Sequence, residues 1–343
     1  VSKVVVILFF VGFMSVCSKR EEVMPNVSQI DFAYSRLEFK CVHERDSLPA
    51  LTYDSDILYR YGLYLEKLKG QKDYDLIARN YRIAAAHDHY KAATNLQFLL
   101  STGQASSPDP SKETIDLAEY FISKGIPAAL YDMAHYLELG YGVKQDVATS
   151  RAYFRRAADL GNPDAQYYVG RLLSHVPNTV ETMLAMYKCA MQQGNRLAGR
   201  SYASYSKAVG AYQDSLVGYQ SATRHGDANS AGNLASAFAG PHMSDELYYL
   251  ALEKDDERVN RYKHIRFFLR RHEYLGAKIP DLDDIVPLPP ATLPEWDGTF
   301  QWKRERDSAV PVIPSAELIE KLSAEKGLDP ATGLPLPKNT ENT

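Results

Sequence analysis

Four stretches of this 343-residue chain can be laid over one another: GIPAALYDMA at 125–134, GNPDAQYYVG at 161–170, GNRLAGRSYA at 194–203 and GDANSAGNLA at 226–235. Their leading glycines, Gly125, Gly161, Gly194 and Gly226, stand 36, 33 and 32 residues apart. Repetition at that period constrains a fold more than composition does. One unit of this length is a pair of helices that buries its apolar face only by stacking on its neighbours. Nine residues after each glycine comes a small residue, Ala134, Gly170, Ala203 or Ala235, and eight after it an apolar or aromatic one, Met133, Val169, Tyr202 or Leu234. Four residues before it comes Ala157, Ala190 or Ala222, with Phe121 in that place before Gly125. Small residues at fixed helical offsets let helices approach closely. The glycine is expected to end one helix as its C′ residue and admit the next. Ala84 and a start near Asp88 extend the register backwards, so Asp56–Ala86 and Asp88–Lys124 read as two degenerate units. The expected fold is all-α, an α-solenoid of about five or six helix pairs. Repeats are expected over 51–243 and capping helices over 244–276, drawn from Ser244–Tyr274 as one or two helices with Tyr248, Leu250, Ala251, Tyr262, Ile265, Phe268 and Leu269 available to cap the array. Terminal units must differ because one face meets water.

The segment YLELGYGVKQDVATSRAYFRRAADLGNPDAQYYVGRLL, 136–173, resembles the SEL-one-like repeat, a relative of the tetratricopeptide repeat. Gly140, Gly142 and Val143 match its G-x-G-V turn, and Ala152, Ala157, Ala158, Gly161 and Ala165 match the helical part. The units after 174 lack that turn.

The two ends of the chain have a different character. Residues 1–16 run from a lysine through an apolar stretch, Val4–Met14, too short for the roughly 20 residues of a membrane span and laid out like a secretory signal. MSVC at 14–17 resembles a bacterial lipobox, departing from it at Val16, which implies acylation of Cys17 with simple cleavage or an uncleaved anchor as the alternatives. Ser18 in place of Asp resembles lipoproteins sent to the outer membrane, so the expected location is the periplasm, anchored there. After a lead-in over 17–50, two cysteines remain, Cys41 and Cys189. Cys189 adjoins the buried-register Ala190 and is expected to be a plain buried thiol, although an oxidising compartment permits a Cys41–Cys189 pair. The tail, 277–343, holds ten of the eighteen prolines and seven Lys/Arg against twelve Asp/Glu. One short helix is expected in it, SAELIEKLSAEK, with Ser315 as N-cap and Gly327 as its end. Trp296 and Trp302 are expected to pin the tail to the solenoid.

That tail, from DLDDIVPLPPATLPEWDGTFQWKRERD to PSAELIEKLSAEKGLDPATGLPLP, together with CVHERDSLPAL at 41–51 and YDLIARNYRIAAAHDHYKAATNLQ at 74–97, is similar to a bacterial family of SEL-one-like repeat lipoproteins. Members of that family resemble, in setting, immunity proteins encoded beside type VI secretion phospholipase effectors. The resemblance implies a non-enzymatic protein that binds and blocks a lipase toxin in the periplasm. A general periplasmic interaction scaffold is the alternative, and an enzyme a distant third.

A solenoid offers an extended concave surface to a protein partner. Offsets six, seven and ten from each glycine point away from the core offsets and so mark that surface: Tyr131, Asp132 and His135; Tyr167, Tyr168 and Arg171; Arg200, Ser201 and Ser204. Tyrosine and arginine are the residues most enriched where binding energy concentrates, although aromatics at helical spacing also serve inter-repeat contacts. Arg171 and Arg200, outside the core offsets, are expected to be dispensable for folding.

Chemistry has little to stand on. The chain contains no G-x-S-x-G elbow, H-E-x-x-H helix or phosphate-binding glycine loop. His87-Asp88-His89 sits at an expected turn with its histidines two apart, which does not put them on one helix face, and no metal or cofactor is expected. Glu44 with Asp46, and Asp283-Asp284, read as solvated loop acids. A net charge of -4 with pI near 6.2 excludes nucleic acid as the main partner, because phosphate binding needs a concentrated basic face.

Overall fold

Each repeat glycine ends a helix. Gly125, Gly161, Gly194 and Gly226 take φ of +76°, +99°, +92° and +99°, left-handed backbone that a residue with a Cβ enters only at a cost of roughly 1–2 kcal/mol. At Gly161 the closing bonds run from the Asn162 amide to the Ala157 carbonyl at 3.0 Å and from the Gly161 amide to Ala158 at 3.1 Å. The next residue opens the following helix: the Asn162 side chain accepts from the Ala165 amide at 2.8 Å. Asn195 and Asp227 cap in the same way, at Ala198 and Ser230, each cap contributing about 1 kcal/mol. A glycine and a capping Asn or Asp therefore suffice to reverse the chain.

The computed structural model describes residues 37–337; the signal-like run 1–16 and Cys17 lie outside the described residues. Twelve helices run from Tyr53 to Arg271: α1 (Tyr53–Lys67), α2 (Tyr74–Ala86), α3 (Tyr90–Ser101), α4 (Pro110–Ser123), α5 (Pro127–Leu139), α6 (Val147–Asp159), α7 (Pro163–Leu173), α8 (Val180–Gln192), α9 (Arg196–Ala208), α10 (Tyr212–Arg224), α11 (Ala228–Phe238) and α12 (Asp256–Arg271). Each packs on the next, so the chain is an α-solenoid of six helix pairs. Among the described residues the β-structure is a single bridge, Leu328 to Pro335, and no helix is long and apolar enough to cross a membrane.

The small positions lie where helices come closest. Ala134 and Ala203 are fully buried. A Cβ added to Gly170 would stand 2.7 Å from the Tyr187 ring, and one added to Gly218 would stand 2.8 Å from the Ala203 Cβ. Both distances are below ordinary contact: Gly170 makes room on α7 for the Tyr187 ring of α8, and α9 meets α10 nearly backbone to backbone at Gly199, Ala203 and Gly218.

Beyond the repeats the structure departs from expectation in three places. The capping region forms one helix, α12, which starts only at Asp256. Before it, Asp245 bonds the amides of Leu247 and Tyr248 and holds a turn where a helix would otherwise begin. The tail carries three helices where one is expected: α13 (Leu282–Ile285), α14 (Gln301–Ser308) and α15 (Ala316–Lys326). The last has the expected Ser315 cap, accepting from the Leu318 amide at 3.2 Å, and the expected Gly327 end at φ +64°. Third, Cys189 is not a free thiol. It forms a disulfide with Cys41 across a Cα–Cα distance of 5.6 Å.

That disulfide staples the lead-in across the repeats. The Val42 carbonyl accepts from Gln166 Nε2 at 3.0 Å, and the Glu44 amide donates to Gln193 Oε1 at 2.9 Å. The lead-in lies so close that a Cβ on Gly161 would stand 2.6 Å from the Glu44 nitrogen. The tail runs the other way. Ile279 donates to the Arg224 carbonyl at 2.9 Å, and Ile279, Leu282, Ile285, Val286 and Phe300 join the core of the last units, with Trp296 and Trp302 against it. The chain then returns to the first units. Leu322 is buried among Leu58, Tyr81 and Leu96, and Arg82, buried beside Glu113 at 2.6 Å, donates to the Thr332 carbonyl at 3.2 Å.

Candidate partner-binding face

The helices that follow the repeat glycines, α5, α7 and α9, bring the expected contact residues to neighbouring positions, and they fall into two groups. Tyr131 and His135 on α5 form one aromatic cluster with Phe154 of α6 and Tyr168 of α7. Phe154 and Tyr168 lie 4.1 Å apart between centroids, and His135 stands edge-on to Phe154 at 4.7 Å and to Tyr168 at 5.4 Å. Edge-to-face pairs of this kind add about 0.5–1.5 kcal/mol beyond area burial. Glu138 ties the cluster down, accepting from the Tyr168 hydroxyl at 2.7 Å and lying 3.4 Å from His135 Nδ1. Burial holds His135 below the usual imidazole range against the pull of Glu138, and burial pushes the Tyr168 hydroxyl up to about 12. Tyr167 packs instead towards Tyr187 at 5.9 Å. The tyrosines are half-buried and serve inter-repeat contacts while showing an edge to solvent.

The two arginines differ. Arg171 is exposed and makes no ion pair among the described residues. Arg200 donates to Asp227 Oδ2 at 2.9 Å, and Asp227, fully buried, caps α11 with its other oxygen. Arg196 Nη1 lies 3.6 Å from the same oxygen, so Arg200 is one of two cations on a buried carboxylate rather than the purely surface group its offset suggests. Loss of Arg200 alone leaves Arg196 and the Ser230 amide on Asp227, so its cost to folding is expected to be partial. Ser204 stays exposed with its hydroxyl 3.2 Å from that of Tyr219, and Ser201 is half-buried.

Beside the aromatic cluster lies a group of acids contributed by three segments. Asp132 of α5 has a weak contact with the Thr94 hydroxyl at 3.4 Å. Burial, reinforced by the charges of Asp164 and Glu44, pushes its carboxyl up to about 7. Asp164 of α7 accepts from Asn195 Nδ2 at 2.8 Å, and although open to solvent on one side it too is raised by its surroundings. Glu44 reaches this group from the lead-in, held by Asn162 Nδ2 at 3.1 Å, and burial raises it. Glu44 is thus not the solvated loop acid its polar neighbourhood suggests. Asp283 likewise is engaged, by Arg224 and by Gln220 Nε2. The local sequence holds no signal for these placements, because each depends on a contact made across the array.

The histidine pair at the α2–α3 turn serves structure. His89 is buried, caps α3 through Nδ1 at the Ala92 amide, and sets Nε2 3.4 Å from Asp56, while His87 reaches the Leu322 carbonyl at 2.9 Å. Among the described residues, Cys41, His43 and Cys189 have metal-ligand proximity, but the disulfide consumes both sulfurs.

Residues 230–336, spanning α11, α12 and most of the tail, match the family model described as Domain of unknown function (DUF6396). No protein of curated function matches the chain. Among solved structures it is similar to immunity protein PA5088 from Pseudomonas aeruginosa, at 28% identity and TM-score 0.60, over 74% of this chain and 94% of that one. It is also similar to immunity protein Pa5087 from the same organism, at 27% identity and TM-score 0.58, over 74% and 95%, and with the same four figures to Pseudomonas aeruginosa PA5086.

Proposed function

We propose that this chain is an immunity protein that binds a secreted toxin and blocks it without modifying it. The observation that carries the reading is its likeness to the immunity protein PA5088 over nearly the whole of that chain. The face on α5, α7 and α9 supports it. Aromatic edges are fixed by edge-to-face contacts, acids are held by amide donors, and an unpaired arginine stands at the side. A rigid surface of this kind loses little side-chain entropy when it docks. The toxin is a phospholipase-class effector of the type VI secretion system, as the sequence resemblance implies, and the encounter takes place in the periplasm with the protein anchored through a lipidated Cys17.

Co-expression tests the reading. A strain carrying a periplasm-targeted candidate phospholipase effector is expected to lyse alone and to survive with the wild-type protein. Arg171→Glu is expected to protect less while accumulating normally, since Arg171 is exposed and forms no ion pair among the described residues; Arg200 is unsuitable for this purpose because of Asp227. Lysis despite abundant wild-type protein contradicts the proposal.

A further inference from the structure

The stretch from Arg258 to His272, RVNRYKHIRFFLRRH, contains six Lys/Arg and no acid in a chain of net charge -4. Its inward residues are accounted for. Val259, Tyr262, Ile265, Phe268 and Leu269 are buried in the last core, Phe268 stacks on Phe300 at 4.0 Å, and Arg258 and Arg261 are buried on Asp255 and Glu257 and on tail carbonyls. The outward residues have no such use. At 100° per residue, Lys263, Phe267, Arg270 and Arg271 fall within a stripe about 100° wide, which Tyr274 continues in the 3-10 turn that follows. Phe267 is 64% exposed and Tyr274 69%. Lys263, Arg270 and Arg271 are exposed and form no ion pair among the described residues. Asp256 and Glu257 lie in the first turn, a full helix length from Arg270, and Glu273 lies on the flank.

We propose that this outward face of α12 docks on an anionic phospholipid surface. Cations ringing protruding aromatic side chains match the headgroup layer, where phosphates take the charge and the rings sit at the polar boundary. The opposite side of the helix is already buried in the core, so α12 meets the bilayer as one flank of a folded body. The patch is local, because the acidic remainder of the chain repels the same surface. An acidic protein would use the same cations and rings, and the polyglutamate arm of the test separates it from the lipid surface. The proposal is independent of toxin blocking and holds or fails without it.

Co-sedimentation of the full chain with phosphatidylglycerol/phosphatidylcholine vesicles, against pure phosphatidylcholine vesicles, tests it. The N-terminal segment carries Lys3, Lys19 and Arg20 and can itself favour the anionic vesicles, so α12 is isolated by comparing its variants with the wild-type chain. Each basic residue near an anionic surface changes partitioning roughly five-fold. Arg270→Glu with Arg271→Glu is therefore expected to lower binding to the anionic vesicles more than about ten-fold, with no change on the neutral ones. Lys263→Glu and Phe267→Ser are each expected to lower it less, and added salt to abolish the composition dependence. Circular dichroism melting confirms that each variant is folded, and the four positions give independent routes should one fail. Equal binding of wild-type protein to both compositions overturns the proposal. So does undiminished binding by folded variants, or salt-sensitive binding to polyglutamate with none to anionic vesicles, which would assign the face to an acidic protein.

Discussion

Asp132 was recognisable from its sequence offset as a surface position, but the sequence held nothing of its electrostatics. Those come first from burial in the array and then from the charges of Asp164, one repeat on, and of Glu44, which reaches it from the lead-in. Its carboxyl, pushed up to about 7, stands well above the ordinary carboxylate range. For a group raised in this way the stabilising contribution is complete below the unfolded pKa and lost as pH rises through the folded one. Ionised Asp132 thus opposes folding above pH 7. Asp132→Asn is expected to stabilise the protein at pH 8, by on the order of 1 kcal/mol after solvent screening, and to leave it nearly unchanged at pH 4. Thermal unfolding at the two pH values checks this, and an equal gain at both would show that the effect is not electrostatic. Arg200 teaches the complementary lesson. Its offset marked it as outside the core, and only the structure shows that its partner, Asp227, is buried there.

At the scale of elements, what repeats was legible. Gly161 with Asn162, and Gly194 with Asn195, announce helix end and helix start within two residues, so α6 to α9 are readable from local chemistry. The plus-nine rule placed Ala203 at a close helix contact, and the structure puts it against Gly218 of α10. Ala203→Leu is accordingly expected to cost roughly 1–3 kcal/mol through overpacking, read as a lowered melting temperature. Unchanged stability would mean that α9 and α10 have room the geometry denies them. What does not repeat was less legible. Helix α14, QWKRERDS, has no side-chain cap and no buried residue of its own, and Trp302 beside Phe268 ties it to the last core. The Cys41–Cys189 bond joins residues 148 apart, a proximity that no local pattern encodes; the apolar company of Cys189 pointed towards an inert thiol.

Across the whole molecule, a solenoid is held mainly by contacts between neighbouring units, so its ends are ordinarily its weakest parts. Here the lead-in is cross-linked to α8, and the tail seals the last units and then returns to α1 and α2, where Leu322 and Thr332 are held. Such ties restrict movement of the repeats against one another and hold the face on α5, α7 and α9 in one arrangement, which on the proposed reading lowers the entropic cost of docking there. An inhibitor must outlast a toxin that turns over membrane lipid, which calls for nanomolar affinity, about -12 kcal/mol. The most direct measurement is to titrate the purified protein into the purified cognate lipase while following phospholipid hydrolysis. Activity is expected to fall linearly to zero at one protein per lipase, with both chains recovered intact from the complex; full hydrolysis in the presence of excess folded protein would contradict the account.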